Sequence, residues 1–384
     1  MNPLVTAHIR LDALRANITA IRRRVPKGTQ LCPAVKADAY GHGLAQVLPV
    51  LIETGVERVG VANLLEAIHL RRLGWPRPIL CLAPMLADAD ERERRARAEQ
   101  AVLAQVSVTT MSTEEARELS AAAVRLQKPA PIEIKVDTGM GRMGLLPEAA
   151  RELALEASTM PGLTIDGVYS HLACADEPDL SFAREQLDRL LSLRACLRER
   201  GVPVGQYHIA NSPGVFRLPE SHLDRVRPGL SLYGYWDGPP ADRPPDIQPI
   251  MRVTSRLTAV RRLPVGHAVG YGRTFMTRRE SLIGVVPIGY GDGYRRLLGN
   301  TGVMTLEPAR GRGRTLVPVV GRISMDQTTL DLAEAGDVRV GDPVTIIDDD
   351  PAAPHSVEAI ALKIGTIPYE ITCLIGHRVQ RRAV

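Results

Sequence analysis

Aromatic side chains are scarce in this sequence: three phenylalanines, two tryptophans and nine tyrosines make up 4% of its 384 residues. A core built from this composition must be aliphatic. The tyrosines outnumber the phenylalanines, so most of them need an explanation other than packing. No apolar run approaches the roughly 20 residues of a membrane-spanning helix, and the N-terminus lacks a basic segment followed by an apolar one. The sequence therefore predicts a soluble, cytoplasmic protein.

Cysteine is also rare, which excludes a disulfide-stapled fold. The five cysteines are odd in number, lie far apart and fall mostly inside apolar runs: Cys32, Cys81, Cys174, Cys196 and Cys373. They show neither a disulfide framework nor the short spacings of metal ligands. We therefore expect reduced cysteines in the core of a cytosolic protein, and no metal site.

The charge pattern gives no indication of an acidic partner. The net charge is +5, but the arginines are mixed with acidic residues along predicted helices, as in residues 90–95. This pattern is typical of a solvated helix face rather than of a nucleic-acid-binding patch. We therefore predict neither a nucleic-acid partner nor a membrane partner.

The first part of the chain alternates between β-type runs and amphipathic helical stretches. The eight predicted strands are 31–36, 58–62, 78–82, 105–110, 132–137, 165–170, 206–210 and 225–228. The clearest predicted helices are 64–73, 113–126, 147–158 and 181–200. Eight such units in about two hundred residues predict an α/β fold, a (β/α)8 TIM barrel. A doubly wound sheet is the alternative, but no GxGxxG turn follows the first strand, so its dinucleotide-binding version has no support.

The alternation of strands and helices ends in a Pro/Gly-rich stretch at residues 236–245, which is a candidate linker. Beyond it, period-two alternation predicts a mostly antiparallel β domain. Its predicted strands are 251–261, 281–288, 315–320, 328–332 and 344–347, and one helix covers 356–363. We expect a barrel domain over residues 1–238 and a β domain over residues 239–384. Within residues 1–11, the segment before the first barrel strand is a candidate partner for the second domain.

The most informative segment is AVKADAYGHG, residues 34–43. An apolar run ends in Lys36 and breaks into a turn, before a helix predicted from Leu44 onward. Barrels place their chemistry at the C-terminal ends of strands. A partly desolvated amine there has a lowered pKa, which favours Schiff-base formation with a carbonyl. The alternative is a strand-end lysine that points to solvent.

Further polar clusters follow other predicted strands. KVDTGMGRMG, residues 135–144, leads into a Gly-rich loop whose Arg142 can bind a carboxylate bidentately, unless it only pairs with a neighbouring side chain. HIANS, residues 208–212, places Ser212 where a helix begins, which near the amides of residues 229 and 230 would make a phosphate seat. A single polar residue at a strand end is usually structural, but several at one barrel face favour a site.

Glycine-flanked tyrosines mark the second part of the chain, at Tyr271 and Tyr290. Glycine next to these tyrosines weakens a β-sheet, so they are poor candidates for packing within a strand. They are better suited to a surface that another protein chain covers. Together and in order, AVKADAYGHG, KVDTGMGRMG, SHLA, HIANS, RPGLSLYG, VGYG, GYGDGY, VGRISMDQ and TIPYE resemble the motifs of bacterial alanine racemases, across essentially the whole chain.

The resemblance implies an isomerase of fold type III that depends on pyridoxal 5′-phosphate (PLP). Such an enzyme interconverts L-alanine and D-alanine, by two-base proton transfer on the Schiff base of substrate and PLP, and supplies D-alanine for peptidoglycan. The resemblance also implies a head-to-tail homodimer whose active sites borrow residues from the partner subunit. The sequence leaves open whether D-alanine is made for the cell wall or consumed.

The resemblance also assigns roles to single residues. Lys36 would bind PLP and serve as one base, and Tyr271 of the partner subunit would serve as the opposed base, tuned by His171 and Arg227. The residues expected to bind PLP are Lys36, Tyr40, His171, Ser212, Arg227, Gly229, Leu230 and Tyr369. Arg227 would face the pyridine nitrogen, where a permanently charged donor keeps that nitrogen unprotonated.

Substrate contacts and access follow from the same resemblance. Arg142 and the partner subunit's Met325 would receive the substrate carboxylate, supported by Asp326 and by Lys135, which is carbamylated in many members. The residues expected at the access gate are Tyr271, Tyr290 and Tyr369 inside and Asp176, Arg296 and Arg322 outside. A narrow gate would select a methyl side chain by steric exclusion. Contacts alone would discriminate poorly, because one methylene changes the binding free energy by only ~1–3 kcal/mol.

Other readings differ in class. A related decarboxylase or a broad-specificity racemase for serine or basic amino acids is one, and a single-barrel, non-enzymatic PLP-binding protein is another. Such decarboxylases lack a tyrosine at the VGYG position, and the single-barrel proteins lack the second domain. Tyr271 and the retained gate tyrosines favour an alanine racemase.

Overall fold

The computed structural model describes residues 2–84, 90–307 and 313–384, with side chains from residue 4 onward. The first elements are strand β1 (Asn2–Ile9) and helix α1 (Leu11–Arg24). Helix α1 begins directly after the strand, and its apolar residues, such as Leu14 and Ile18, are buried. None of the helices among the described residues is long and apolar enough to cross a membrane.

In the part of the chain that the structure describes, eight parallel strands form the barrel. They are β2 (Gln30–Leu31), β3 (Val59–Val61), β4 (Ile79–Cys81), β5 (Val106–Thr110), β6 (Ala130–Lys135), β7 (Leu163–Tyr169), β8 (Gln206–His208) and β9 (Arg225–Val226). They pair in the order β2-β9-β8-β7-β6-β5-β4-β3. A parallel bridge between Ala34 and Gly60 joins the two ends of this sheet. The predicted (β/α)8 barrel is therefore confirmed.

Helices follow the barrel strands. They are α2 (Lys36–Tyr40), α3 (Leu44–Glu53), α4 (Leu64–Arg72), α5 (Glu91–Leu103), α6 (Thr113–Leu126), α7 (Pro147–Ala157), α8 (Ser181–Glu199) and α9 (Ser212–Arg217). Asn63, Asp90 and Ser112 cap α4, α5 and α6, and each side-chain oxygen accepts a backbone N–H three residues later. Such N-caps satisfy the free N–H groups of a first turn. All four predicted barrel helices are present, to within one residue.

The described residues of the second part form ten strands and two α-helices. The strands are β10 (Met251–Arg256), β11 (Ala259–Leu263), β12 (Ala268–Val269), β13 (Phe275–Met276), β14 (Ser281–Val286), β15 (Val303–Leu306), β16 (Thr315–Pro318), β17 (Thr328–Asp331), β18 (Pro343–Ile347) and β19 (Val379–Ala383). The helices are α10 (Val357–Ile364) and α11 (Pro368–Cys373). The strands form sheets ordered β16-β15-β18-β10-β1-β19, β11-β14-β17 and β12-β13. Strand β1 pairs antiparallel with β10 and parallel with β19.

Several predicted boundaries were wrong. The run 251–261 is two strands, because the chain changes sheets at Leu257, whose N–H donates to Asp342 O at 3.0 Å. In the predicted strand 31–36, only Leu31 belongs to the observed strand β2, which ends there. A turn begins at Lys36. The prediction of one helix in the second part missed α11, which starts at Pro368. Strands β12, β13, β15 and β19 were also missed; β19 is arginine-rich and lacks alternation.

The two parts share one core. A continuous cluster of buried side chains includes Leu14 of α1, Val253 of β10 and Ile346 of β18. The Pro/Gly-rich stretch begins in this packed region, because Trp236 is buried against Ala20 and Ile247. The cysteines divide: Cys32 and Cys81 are buried, Cys174 and Cys196 are half-buried, and Cys373 is exposed. The expectation that they lie in the core therefore fails for Cys373.

Candidate active site

The segment after Lys36 is one turn of left-handed helix. Residues 37, 38, 39 and 40 have φ values of 52°, 53°, 56° and 54°. Each non-glycine residue in this region costs roughly 1–2 kcal/mol. Hydrogen bonds hold the turn: the Ala37 N–H donates to Glu66 Oε1 at 2.9 Å, and the Leu44 N–H donates to Asp38 Oδ1 at 2.7 Å. The turn brings both Lys36 and Tyr40 to the lining of one cavity.

This cavity, of about 660 Å³, lies at the C-terminal ends of the barrel strands. Nine of the residues expected in the site line it: Lys36, Tyr40, Lys135, Arg142, His171, Ser212, Arg227, Gly229 and Tyr369. They come from the C-terminal ends of five barrel strands (β2, β6, β7, β8 and β9) and from α11, so only the closed barrel brings them together. Cys373 and Asn211 line it as well.

Two lysine amines face the cavity in an environment that disfavours their charge. Burial, and then the charge of Arg142, lowers the pKa of Lys36. Burial, together with Arg227 and Arg142, lowers the pKa of Lys135 to about 7. The Lys135 Nζ lies 4.8 Å from the centre of the Tyr169 ring, and within the described part of the chain no carboxylate forms an ion pair with it. Lys135 therefore has a substantial fraction of free amine near neutral pH, and the free-base form of Lys36 is favoured relative to an exposed lysine.

Arg227 is buried and fixed from several sides. Its guanidinium donates to Ser170 O at 2.6 Å and to Ile209 O at 3.3 Å. It also lies 3.3 Å from His171 Nδ1 and bonds His208 Nδ1. Burial, and then the charge of Arg227, holds the pKa of His171 well below its usual range, so His171 is a neutral acceptor.

A buried charged network, formed by Glu133, His208, Arg225 and Arg58, lies inside the barrel. Glu133 accepts from His208 Nε2 at 2.6 Å and from Arg225 at 2.5 Å, and it lies 3.4 Å from Arg58. Burial alone would raise the pKa of Glu133, but Arg225, His208 and Arg58 outweigh it and the pKa is lowered. Since Glu133 takes the Nε2 proton of His208, Nδ1 is left to accept from Arg227. No local sequence pattern indicates this network, because its members come from four separate strands or strand ends.

Ser212 is the centre of a polar seat at one side of the cavity. Its Oγ accepts from the Gly229 N–H at 2.9 Å, the Ser231 N–H at 3.1 Å and the Ser231 hydroxyl at 3.0 Å. With its lone pairs engaged, the Ser212 hydroxyl keeps its own proton for another acceptor. The Leu230 amide is the first of the 3-10 helix Leu230–Tyr233, and N–H groups in the first turn of a helix have no intrahelical partner. The seat therefore offers donors to an anion.

Two tyrosines next to this seat differ in how their hydroxyls are used. The Tyr40 ring packs 5.1 Å from that of Tyr233 and 5.6 Å from that of Tyr369, and its hydroxyl has no hydrogen-bond partner among the described residues. A Cβ at position 229 would come within 2.8 Å of this hydroxyl, so glycine there leaves it room. The Tyr369 hydroxyl instead donates to Asp237 Oδ2 at 2.8 Å.

The loop that carries Arg142 is shaped by one carboxylate. Asp137 Oδ1 accepts the backbone N–H groups of Gly139, Met140 and Gly141 at 2.8, 2.9 and 3.2 Å. Burial opposes this charge, but these bonds lower the pKa of Asp137 below its usual value. The loop holds Arg142 exposed at the mouth of the cavity, where it can receive an anionic group.

The other expected residues do not line this cavity. Tyr271 is 70% exposed at the end of the β12–β13 hairpin, and Met325 and Tyr290 are 52% and 45% exposed. Asp326 pairs with Arg378 at 2.7 Å, and Arg296 lines a separate surface pocket with Tyr290. Arg322 lies against Gly272, and Leu230 is buried behind the polar seat. Asp176 is close enough to Asp237 and Tyr369 to shift their pKa values upward.

Comparison with known proteins gives one family over both parts of the chain. Residues 9–237 match the family described as "Alanine racemase, N-terminal domain", and residues 250–383 match "Alanine racemase, C-terminal domain". The chain is 38% identical to an alanine racemase of Clostridium tetani over 98% of its own length and 94% of that protein. It superposes on an alanine racemase of Clostridium difficile with a TM-score of 0.90 and 30% identity, covering 100% of this chain and 96% of that one. An alanine racemase from Streptomyces coelicolor gives a TM-score of 0.88 and 35% identity, with 99% and 98% coverage.

Proposed function

The chain belongs to the alanine racemase family, and we propose that it interconverts L-alanine and D-alanine with PLP held in the barrel cavity. The isomerase activity follows from the family. The cofactor, the roles of individual residues and the dimer described below are our proposal. We further propose that the protein works in the cytoplasm and supplies D-alanine for peptidoglycan.

The donors around the cavity fit PLP in type and distribution. Lys36 offers an amine to an aldehyde, Arg227 offers a buried guanidinium to a ring nitrogen, and the Ser212 seat and the Tyr40 hydroxyl offer donors to a phosphate. When bound, PLP supplies an electron-withdrawing ring that acidifies the Cα–H of an attached amino acid. His171, a neutral side chain beside Arg227, would lie near that ring.

Lys36 would hold the cofactor and then act as the base on one face of the substrate Cα. Its lowered pKa leaves a larger share of free amine to take a proton and return it. A single base, however, returns the proton to the face from which it came. Inversion therefore needs a second proton-transfer group on the opposite face.

We assign that second role to Tyr271 of the partner subunit. Tyr271 of the same chain is exposed and does not line the cavity, so this phenol would reach the cavity from a second copy of the chain. Tyr290, Leu297 and Met325 are exposed apolar neighbours in the same part of the β domain, as expected for a covered interface. Arg227, acting through His171, would provide the cation on the side of the cavity that this phenol approaches.

Arg142 would receive the substrate carboxylate, with Met325 of the partner subunit beside it and Asp326 in support. Lys135 would stabilise Arg142 as a carbamate, because a free amine, but not an ammonium ion, reacts with carbon dioxide. The lowered pKa of Lys135 supports this assignment. Tyr290, Arg296 and Arg322 of the partner subunit and Tyr369 and Asp176 of the first chain would narrow the access gate, so that alanine is preferred over larger amino acids.

One observation carries the proposal. Lys36 and Arg227 line the same cavity, whereas Tyr271 of the same chain is exposed at the surface away from it. The test compares wild-type protein with Tyr271→Ala in deuterium oxide, starting separately from L-alanine and D-alanine. Exchange of the Cα proton should fall far more for one enantiomer than for the other. An equal loss from both would contradict two opposed bases.

A chemical test addresses the cofactor site separately. Borohydride reduction of the PLP-loaded protein should fix the chromophore on a peptide that contains Lys36. The Lys135→Ala variant is the matched control, since it removes the other cavity amine and should leave the label on Lys36. A label on Lys135, or on neither lysine, would contradict the assignment.

A further inference from the structure

Two arginines near the C-terminus bind different parts of the molecule. Arg378 lies in the bend before the last strand, and Arg381 lies in that strand, β19. Neither belongs to the motifs that carry the family resemblance. Their contacts lead to the two halves of the proposed active site.

Arg381 connects the end of the chain to the left-handed turn in the cavity wall. Its Nε donates to Gly41 O at 3.0 Å, directly after that turn. Its Nη1 donates to Gly376 O at 2.5 Å and to Val379 O at 2.8 Å, and its Nη2 donates to Ile375 O. Four of its N–H groups are therefore engaged, one by the turn and three by the C-terminal segment.

The left-handed turn needs support from outside. Strained backbone of this kind persists only where the surrounding structure holds it. Glu66 holds the turn from the barrel side, and Arg381 holds its end from the last strand of the second part. The turn also packs closely on α11, because a Cβ on Gly41 would lie 2.0 Å from Thr372 O. Arg381 therefore helps to set where Lys36 enters the cavity.

Arg378 pairs with carboxylates from two loops of the β domain. Its Nε lies 3.1 Å from Asp292 Oδ1, and its Nη2 donates to Asp326 Oδ1 at 2.7 Å. Asp292 Oδ1 is buried and has no hydrogen-bond partner in the described part of the chain, where Arg378 is the cation paired with it. Loss of the guanidinium would leave a buried carboxylate oxygen without its compensating charge.

These two loops carry residues assigned to the partner's site. Asp292 ends the 3-10 turn that begins at Tyr290, and Asp326 directly follows Met325. The Gly291 N–H donates to Met325 O at 2.9 Å, which joins the loops directly. The two ion pairs therefore fix the loops that would complete the cavity of the partner subunit.

We propose that Arg378 and Arg381 are positioning residues for two different active sites. Arg381 holds the Lys36 turn in the cavity of its own chain, and Arg378 holds the loops that its chain presents to the partner's cavity. This inference rests on the proposed function, because it requires active sites that are shared between subunits. A change at either arginine should then damage one defined half of a site.

Two substitutions separate the roles. Arg381→Lys replaces the Nε–H with a methylene and ends in an ammonium group, so it removes the bond to Gly41 O and keeps a donor for the C-terminal carbonyls. Arg378→Met removes both ion pairs. In each homodimer, the rate of D-alanine formation from L-alanine should fall about tenfold or more, since a misplacement of about 1 Å can cost roughly 100-fold.

Mixing shows which half of the site each change damages. Each variant is refolded in equal amounts with Lys36→Ala, whose partner-facing loops are intact, or with Tyr271→Phe, whose cavity is intact. Arg378→Met should recover about a quarter of wild-type activity with Lys36→Ala, because half of the dimers then contain one complete site. With Tyr271→Phe it should stay at or below about a twentieth. Arg381→Lys should show the reverse pattern.

Arg382 is the matched control, because it is exposed on the same strand. Arg382→Lys and Arg382→Met should keep wild-type activity. The same degree of rescue by both partners, whether full or absent, would overturn the inference, since a general loss of stability does not depend on which half the partner supplies. So would a reversed pattern, or Arg378→Met and Arg381→Lys homodimers as active as wild type. If Lys36→Ala mixed with Tyr271→Phe restores nothing, the shared site of the proposed function is contradicted instead.

Discussion

The cavity at the barrel mouth and the tip of the β domain, defined by Tyr271, Tyr290 and Met325, are built in opposite ways. Cavity side chains such as Arg227 and Ser212 are buried and bonded to several partners. The tip residues are between 45% and 70% exposed. The closed barrel fixes the side chains that would bind the cofactor. The tip residues are exposed on their own chain and would be covered only by a second protein chain. We interpret the tip as the half of the site that each chain provides to its partner.

The largest expected effect comes from mixing two inactive variants. Lys36→Ala and Tyr271→Phe should each lose nearly all racemisation as homodimers. If the cavity and the tip belong to different chains, refolding them together in equal amounts restores one intact site in half of the dimers, or about a quarter of wild-type activity. The rate of D-alanine formation from L-alanine measures this.

Mixing would restore nothing if Lys36 and Tyr271 acted within a single chain. Tyr271→Phe should also leave the free energy of unfolding unchanged, because its hydroxyl is exposed at the tip. A large loss of stability in that variant would contradict the view of the tip as a displayed surface.

The next effect concerns the buried charged network beneath the cavity. Glu133→Gln leaves Arg225 and Arg58 without their shared carboxylate, and breaking a buried pair costs roughly 3–5 kcal/mol. Urea unfolding should show a loss of that size. Glu280→Gln is the control, because its pair with Arg262 is 69% and 75% exposed and should be worth less than about 1 kcal/mol. Equal losses of unfolding free energy in the two variants would mean that the buried network does not stabilise the barrel.

A smaller effect follows from Lys135. Its pKa is about 7 in the folded chain and near 10.4 in the unfolded one, so between these values the unfolded state binds more protons and stability rises with pH. Lys135→Met removes this buried charge. In buffer free of carbon dioxide, the variant should be more stable than wild type by roughly 1–3 kcal/mol at pH 6.

That gain should have largely disappeared by pH 10, where the wild-type amine is neutral in the folded state and close to its own pKa in the unfolded state. Thermal unfolding of the cofactor-free protein at the two pH values measures the difference. A gain that stays constant with pH would show that packing, and not charge, is responsible.

The smallest effect tests how the turn after Lys36 is held. Ala37 is exposed and has φ of 52°, so Ala37→Gly should stabilise the protein by about 1 kcal/mol. Ala96→Gly, at an exposed site in helix α5, should destabilise by about the same amount. Urea unfolding of the pair should give opposite signs. Two losses would mean that the left-handed turn is not strained at residue 37.

Sequence patterns predicted the barrel well. Each of its eight strands is a short apolar run, and the helices between them show the spacing of apolar residues that is typical of an amphipathic helix. They also placed six cavity residues at one face, since all C-terminal strand ends of a parallel barrel meet there: Lys36, Lys135, Arg142, His171, Ser212 and Arg227. Tyr369 lies on α11 in the second part, and only the family resemblance pointed to it. Glu133 and Asp237 escaped notice. Each accepts a hydrogen bond from a residue distant in sequence, His208 or Tyr369, and no local spacing predicts such a pair.

The sheets of the second part were harder to predict for a related reason. Residues 251–261 read as one alternating run, yet the chain changes partners from β18 to β14 in its middle. Only the neighbouring strands decide where such a change occurs. The left-handed turn was likewise invisible, because alanine and aspartate normally favour right-handed conformations.

That turn carries a consequence for chirality. Left-handed backbone at an L-residue is ordinary right-handed backbone for its mirror image, so position 37 is shaped for a D-amino acid. Chemical ligation could place D-alanine there and relax the segment that presents Lys36. The chain would then contain, in its own backbone, the enantiomer that its family produces.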